Sequence, residues 1–167
     1  MSGFIQEKVR LTPVRERVDV VVAGAGPAGI GAAVAASRCG AKTLLVERLG
    51  FLGGMLTSGG VRNMRTFTDG AGQAIIKGLP YEFAQYLKEN GAAVGVPEKD
   101  PYVQQNPELT RYLAQEFVLK SGVRLLLHTL VVAAVKKGNR VCGVIVESKS
   151  GRQAILARVV VDCTADG

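Results

Sequence analysis

The chain has 167 residues, 47% of them hydrophobic, with 21 glycines, no tryptophan and a formal net charge of +7. A chain of this length buries roughly 70% of its unfolded surface in one domain, and this composition argues against disorder. The apolar runs fall short of the roughly 20 residues that span a bilayer, the N-terminus has no apolar signal core, and the basic residues are scattered rather than striped, which argues against a nucleic-acid surface.

Residues 1–17 read as a polar lead-in and residues 18–167 as one domain. "VDVVVAG", 18–24, is a short continuous apolar run, the mark of a strand buried on both faces of a parallel sheet. "PAGIGAAVAASRCG" follows as a helix, with Pro27 suited to its first turn and Gly40 to its C-cap. "AKTLLVER" is a second buried strand, which completes β-α-β in about 30 residues. Residues 49–72 hold seven glycines and read as a long functional loop. A helix is expected at 73–90, complicated by Pro80, and residues 91–106 look irregular. Asn106 as N-cap, Pro107 at N1 and Gly122 as a stop delimit another helix. "VRLLLHT" reads as a third buried strand. After it, Gly-Asn and Ser-Gly turns mark an antiparallel three-stranded meander followed by a further apolar strand. The fold class is therefore α/β: a Rossmann-like parallel sheet with helices on its faces and an antiparallel β-meander.

The chemistry concentrates in "GAGPAG", residues 24–29. This G-x-G-x-x-G follows a strand, opens a helix and precedes an acidic residue, Glu47, at the end of the second strand. Gly24 permits the tight turn, Gly26 lets backbone approach a pyrophosphate, and Gly29 lets the helix press on the sheet. The first-turn N–H groups and the helix dipole favour phosphate there. Glu47 is suited to accept hydrogen bonds from a ribose and would repel a 2′-phosphate, which disfavours NADP.

"DVVVAGAGPAG" with "LLVERLGFLGGML", "GLPYEFAQYLKENGA", "NPELTRYLAQEFVLKSGVRLLLHT" and "GRQAILARVVVDCTADG" resembles the N-terminal part of the FAD-dependent oxidoreductases of the glutathione-reductase-like flavoprotein superfamily. The resemblance implies FAD as cofactor. It places Gly24, Gly26, Pro27, Ala28 and Gly29 at the pyrophosphate, Glu47 at the adenosine ribose and Arg48 beside the adenine. Gly53, Gly54 and Met55 would line the passage toward the flavin. Val132 would pair its backbone with adenine, although sheet core explains it equally. Thr164, Ala165 and Asp166 match the place of a Thr-Gly-Asp turn, with Ala165 standing where a glycine is usual.

Other side chains read more plainly. Cys39, Cys142 and Cys163 form no C-x-x-C pair and no metal pattern, which excludes a dithiol reductase and suits reduced cysteines in the cytoplasm. His128 is expected to be structural rather than a general base. Arg62 and Arg65 could clamp an anionic substrate or be solvated loop charges, and Asp69 is a turn residue. The family also implies one further parallel strand and a substrate domain after the last turn. The chain is therefore expected to be the FAD-binding part of an oxidoreductase of unknown substrate, prone to self-association or reliant on a missing C-terminal substrate domain. A nicotinamide-dependent dehydrogenase and a non-catalytic dinucleotide-binding fragment or subunit remain the alternatives.

Overall fold

The computed structural model describes Gly3 and residues 9–69, 71–95 and 102–165. In chain order it contains β1 (Val14–Ala23), α1 (Pro27–Arg38), β2 (Thr43–Val46), a 3-10 turn (Gly54–Leu56), β3 (Asn63–Arg65), α2 (Leu79–Glu89), β4 (Ala93–Val94) and β5 (Tyr102–Gln105). Then come α3 (Pro107–Lys120), β6 (Arg124–Leu126), β7 (Leu130–Lys137), β8 (Arg140–Ser148) and β9 (Gly151–Asp162).

The main sheet has six strands in the order β6-β2-β1-β9-β8-β7. β6, β2, β1 and β9 run parallel, and β8 and β7 continue the sheet antiparallel. Two apolar layers hold it. On one face, Ile30, Ala33 and Val34 of α1, Phe83 and Leu87 of α2, and Leu113, Phe117 and Val118 of α3 pack on Val20, Val22 and Leu45. On the other, Val144 and Val146 of the meander pack with Val21, Leu44, Val46 and Ile155. The helices thus gather on one face and the meander covers the second. Strands β1 and β2 are sandwiched between layers, which is why both read as continuous apolar runs.

Several boundaries differ from the sequence reading for physical reasons. β1 begins at Val14, four residues ahead of the apolar run, because its polar start pairs with β9 from Ala154 onward. The third strand and the "further apolar strand" of the meander are one element. β9 pairs antiparallel with β8 through Gly151–Leu156 and parallel with β1 through Ala154–Asp162. Close crossing of β8 and β9 depends on Gly143, at φ +151, where a Cβ would lie 2.1 Å from the carbonyl oxygen of Ile155.

α2 starts at Leu79 rather than at 73, because Gly78 sits at φ +67 and breaks the helix. Asp69 is the expected turn residue: its Oδ1 accepts from the amides of Ala71 (2.9 Å) and Gln73 (2.8 Å). The stretch expected to be irregular contributes β4 and β5, which join β3 from the glycine-rich loop in a small antiparallel sheet of order β3-β5-β4. β6 is a half-buried edge strand, not a fully buried one. α3 follows its expected signals closely, with the Asn106 side chain accepting from the amides of Glu108 and Leu109. Among the described residues no helix is long and apolar enough to cross a membrane.

Candidate functional site

The register of the parallel strands builds the site. Ala23 pairs with Val46 on one side and with Asp162 on the other, and Val46 pairs with Leu126. The carboxyl ends of four strands therefore finish at one level. The loops that leave them carry Gly24, Glu47 and Cys163 side by side, where open α/β sheets bind their ligands.

The three motif glycines have different neighbours. Gly24 holds φ +91, and a Cβ there would meet the carbonyl oxygen of Cys163 at 2.5 Å. A Cβ on Gly29 would lie 1.8 Å from the carbonyl oxygen of Gly24. Both are fixed by packing of the helix and turn against the sheet. A Cβ on Gly26 would meet nothing within 4 Å. The space over Gly26 is open, and it opens onto the N-terminus of α1. That terminus has Pro27 in its first turn, no capping side chain and no acidic residue. No capping side chain or acid compensates the positive end of the helix dipole there, a setting suited to an anion.

Glu47 sits just past β2 and is 8% exposed. Its Oε2 accepts from the amide of Ala25 at 2.7 Å, inside the glycine motif, and its Oε1 accepts from the amide of Leu49 at 2.8 Å. A carboxylate offers about four lone-pair sites. Two amides stabilise the charge, and acceptor capacity is left for hydroxyl donors.

Beside it lies a cavity of about 420 Å³, lined by Gly24, Glu47, Arg48, Val132, Asp162 and Thr164 among others. Five residues singled out in the sequence thus share one wall system. Gly26, Pro27, Ala28 and Gly29 do not line it; they follow Gly24 in the chain, at the start of α1. Gly53 and Gly54 abut them: the amide of Gly53 donates to the carbonyl of Ala25 at 2.8 Å. A Cβ on Gly54 would come 2.8 Å from the Cα of Gly26. Met55 follows them with its side chain largely exposed. Ala165 adopts φ +71, the conformation that a glycine at this turn would hold without strain. Asp166 lies outside the described residues.

Two polar residues of the cavity wall were missed from sequence. Asp162 ends β9 and accepts on Oδ1 from the amide (2.9 Å) and hydroxyl (2.8 Å) of Thr164. Those two bonds, the amide first, hold its carboxyl below the usual aspartate range. The Asp-x-Thr spacing after an apolar run was the available signal. Thr129, 2% exposed, donates its amide to the carbonyl of Glu47 at 2.9 Å; nothing in its local sequence marks it.

The remaining candidates do not line this cavity. Burial, and next the charge of Asp162, push the Cys163 thiol up, so it is a poor nucleophile. His128 was placed in a buried-looking run, but it is exposed, at φ +51, with its ring against Gly50. Arg62 is exposed. Arg65 borders a second, apolar cavity of about 280 Å³ with Pro27 of the glycine motif and with Ile30, Leu56, Phe67 and Phe83. No group of three or more His, Cys, Asp or Glu side chains suited to a metal gathers among the described residues.

Comparison with known proteins follows this geometry. A family profile described as "FAD dependent oxidoreductase" matches residues 19–167. The chain is 30% identical over 158 residues to a thiamine thiazole synthase of Pyrococcus horikoshii, covering 90% of this chain and 58% of that protein. It is 33% identical over 132 residues to the thiamine thiazole synthase of Aeropyrum pernix, covering 78% and 44%. The chain thus spans about half the length of the curated relatives it matches. Among solved structures, Thermovibrio ammonificans THI4 superposes with a TM-score of 0.63 at 20% identity, over 89% of this chain and 57% of that one. The myxobacterial chondrochloren halogenase CndH, described as a variant of FAD-dependent halogenases, gives 0.65 at 18%, over 88% and 37%.

Proposed function

Because the chain belongs to the FAD-dependent oxidoreductase family, we propose that the crevice at the carboxyl ends of β1, β2 and β9 holds FAD by its ADP half. The observation that carries this is the open space over Gly26, set between an uncapped helix terminus and a carboxylate acceptor. The pyrophosphate lies over Gly26 and the first turn, Pro27 to Gly29. Glu47 accepts from the ribose hydroxyls. Arg48 and the backbone of Val132 border the adenine in the cavity they share. Gly53, Gly54 and Met55 line the way toward the ring system, and Thr164 and Ala165 form the turn on its far side.

When bound, the flavin supplies the redox chemistry by accepting and returning electrons. This chain's own residues bind and orient. Gly24 and Gly29 let backbone pack tightly enough to fix the motif, Glu47 locks the Ala25 amide so the loop is formed before ligand arrives, and Asp162 fixes Thr164. The substrate and the full oxidoreductase activity belong to the whole protein, in which a substrate-binding part supplies the second wall. The outer flank of Ala157–Asp162 has no strand partner among the described residues. In our reading, another strand covers it, from that part of the protein or from a second copy. Free thiols at Cys39, Cys142 and Cys163 support a cytoplasmic setting.

Titration with FAD, ADP and NAD, followed by flavin fluorescence and calorimetry, tests the reading. FAD should bind, ADP should displace it, and adenosine 2′-phosphate should compete poorly because Glu47 repels the extra phosphate. A protein that binds neither FAD nor ADP overturns the assignment, and one that prefers NAD to FAD moves it to a nicotinamide enzyme.

A further inference from the structure

A buried amide on the small sheet ties the glycine-rich loop to the rest of the fold. Gln105 ends β5 and is 1% exposed. Each polar atom of its side chain is used. Nε2 donates to the carbonyls of Leu56 (2.7 Å) and Val61 (2.8 Å), and Oε1 accepts from the hydroxyl of Thr110 at 2.6 Å. Thr110 is fully buried in α3. The three partners leave one amide orientation consistent with the network. Its backbone amide also donates to the carbonyl of Arg62 at 2.8 Å.

The two carbonyls that Gln105 grips bracket the segment after the 3-10 turn. Bonds inside that segment give it shape: the Ser58 hydroxyl donates to Gly54, the Val61 amide to Met55, and the Thr57 hydroxyl to Leu52. They do not fix where the shaped segment sits. Gln105 does so from one side. On the other, the amide of Gly53 bonds Ala25, and Gly54 is in backbone contact with Gly26.

We propose that Gln105, oriented by Thr110, is a positioning residue of the dinucleotide site, which rests on the FAD-binding reading above. It holds the 53–61 segment so that Gly53 and Gly54 stay against Ala25 and Gly26. Two backbone carbonyls and one hydroxyl lose their buried partner when it is removed, so the segment must shift to find replacements. A shift of that kind next to the phosphate position weakens ligand binding while β1 and β2 keep their packing.

The test compares the natural protein with Q105M, T110V and T110S, by calorimetry with ADP and by amide hydrogen exchange without ligand. In Q105M and T110V, ADP should bind about tenfold more weakly or worse, and amides of 53–61 should exchange faster. Amides of Val20–Val22 and Leu44–Val46 should keep their natural rates. T110S retains the hydroxyl donor and should behave as the natural protein. Should Q105M fail to fold, T110V carries the comparison, because it leaves the glutamine in place. Natural loop exchange in both variants overturns the proposal, as does an equal rise across the sheet. A natural protein that fails to bind ADP sinks the dinucleotide reading and the ligand half of the proposal, while the exchange rates still decide whether Gln105 fixes the loop.

Discussion

Replacing Gly26 by alanine should leave the fold at least as stable while weakening dinucleotide binding, and replacing Gly29 by alanine should damage the fold instead. Gly26 has φ −70 and ψ −177, extended backbone that any residue adopts, and an added Cβ meets nothing within 4 Å. Loss of glycine's unfolded-state freedom then stabilises by about 0.4–1 kcal/mol. The same methyl group occupies the space assigned to the pyrophosphate, so ADP affinity should fall at least about tenfold, or 1.4 kcal/mol. Valine in place of alanine should lower it further. Gly29 lies in the first turn of α1, where alanine would ordinarily gain up to about 1 kcal/mol in helix propensity. Its Cβ, however, would stand 1.8 Å from the carbonyl oxygen of Gly24, and backbone must move. Overpacking of that kind costs about 1–3 kcal/mol, and a contact this short belongs at the upper end, for a net loss near 2 kcal/mol. Urea melts and calorimetry with ADP read both quantities on the same samples. Natural ADP affinity in G26A would refute the placement of the phosphates, and full stability in G29A would refute the packing argument.

Glu47→Ala removes the acceptor for two amides, so it should cost stability as well as affinity, by about 1–3 kcal/mol in each; melts and ADP calorimetry check this, and adenosine 2′-phosphate should compete relatively better against Glu47→Arg. Arg38 holds the carboxylate of Glu82 in a two-bond pair at 2.7 and 2.6 Å, which lowers the Glu82 pKa through the hydrogen bonds first. A depressed carboxyl contributes stability above its unfolded pKa and loses it as pH falls through the folded value. The natural protein should therefore lose about 0.2–1 kcal/mol relative to Arg38→Ala on acidification below the ordinary glutamate range, a small effect because the pair is half exposed; equal acid melts would refute the tether. Ala165→Gly should relieve about 1 kcal/mol of left-handed strain, seen as a higher melting temperature. Val159, 51% exposed on the part of β9 whose outer flank has no strand partner among the described residues, should support self-association of the 167-residue chain, and Val159→Lys should reduce it in sedimentation.

The main sheet was legible because burial on both faces leaves an unambiguous trace. "VDVVV" and "TLLV" have no polar alternation to misread, and the motif glycines mark where the first strand ends. α3 was legible for a related reason: Asn106 and Pro107 are local signals that act within one turn. The small sheet was not. β3 and β4 are 3 and 2 residues long, too short for any period to show, and β3 pairs with β5 from the far side of α2 in the chain. β9 was split in two because its partners change along its length, from β8 to β1, and only the tertiary register shows that one strand serves both. In the site, glycines and Glu47 were visible as residue types in a pattern. The grip of Glu47 on Ala25 and Leu49 was not, because backbone amides carry no sequence signal. Gln105 escaped for the same reason.

The three α-helices among the described residues provide an internal comparison for the site. α3 begins with Asn106 capping two amides and Glu108 in its first turn. α2 lacks a capping side chain but places Glu82 in its first turn. α1 has neither. A helix start normally takes a polar cap or an acid because its first amides and its dipole are otherwise uncompensated. The nearby carboxylate, Glu47, could have served. Its oxygens instead bond Ala25, ahead of the helix, and Leu49, beyond β2. The first turn of α1 is thus left without a side-chain cap or an acid, and Glu47 makes its two amide bonds outside the helix. That arrangement is costly for a helix that binds nothing and favourable for one that receives a phosphate, so the missing cap and the position of Glu47 both support the proposed placement of the pyrophosphate.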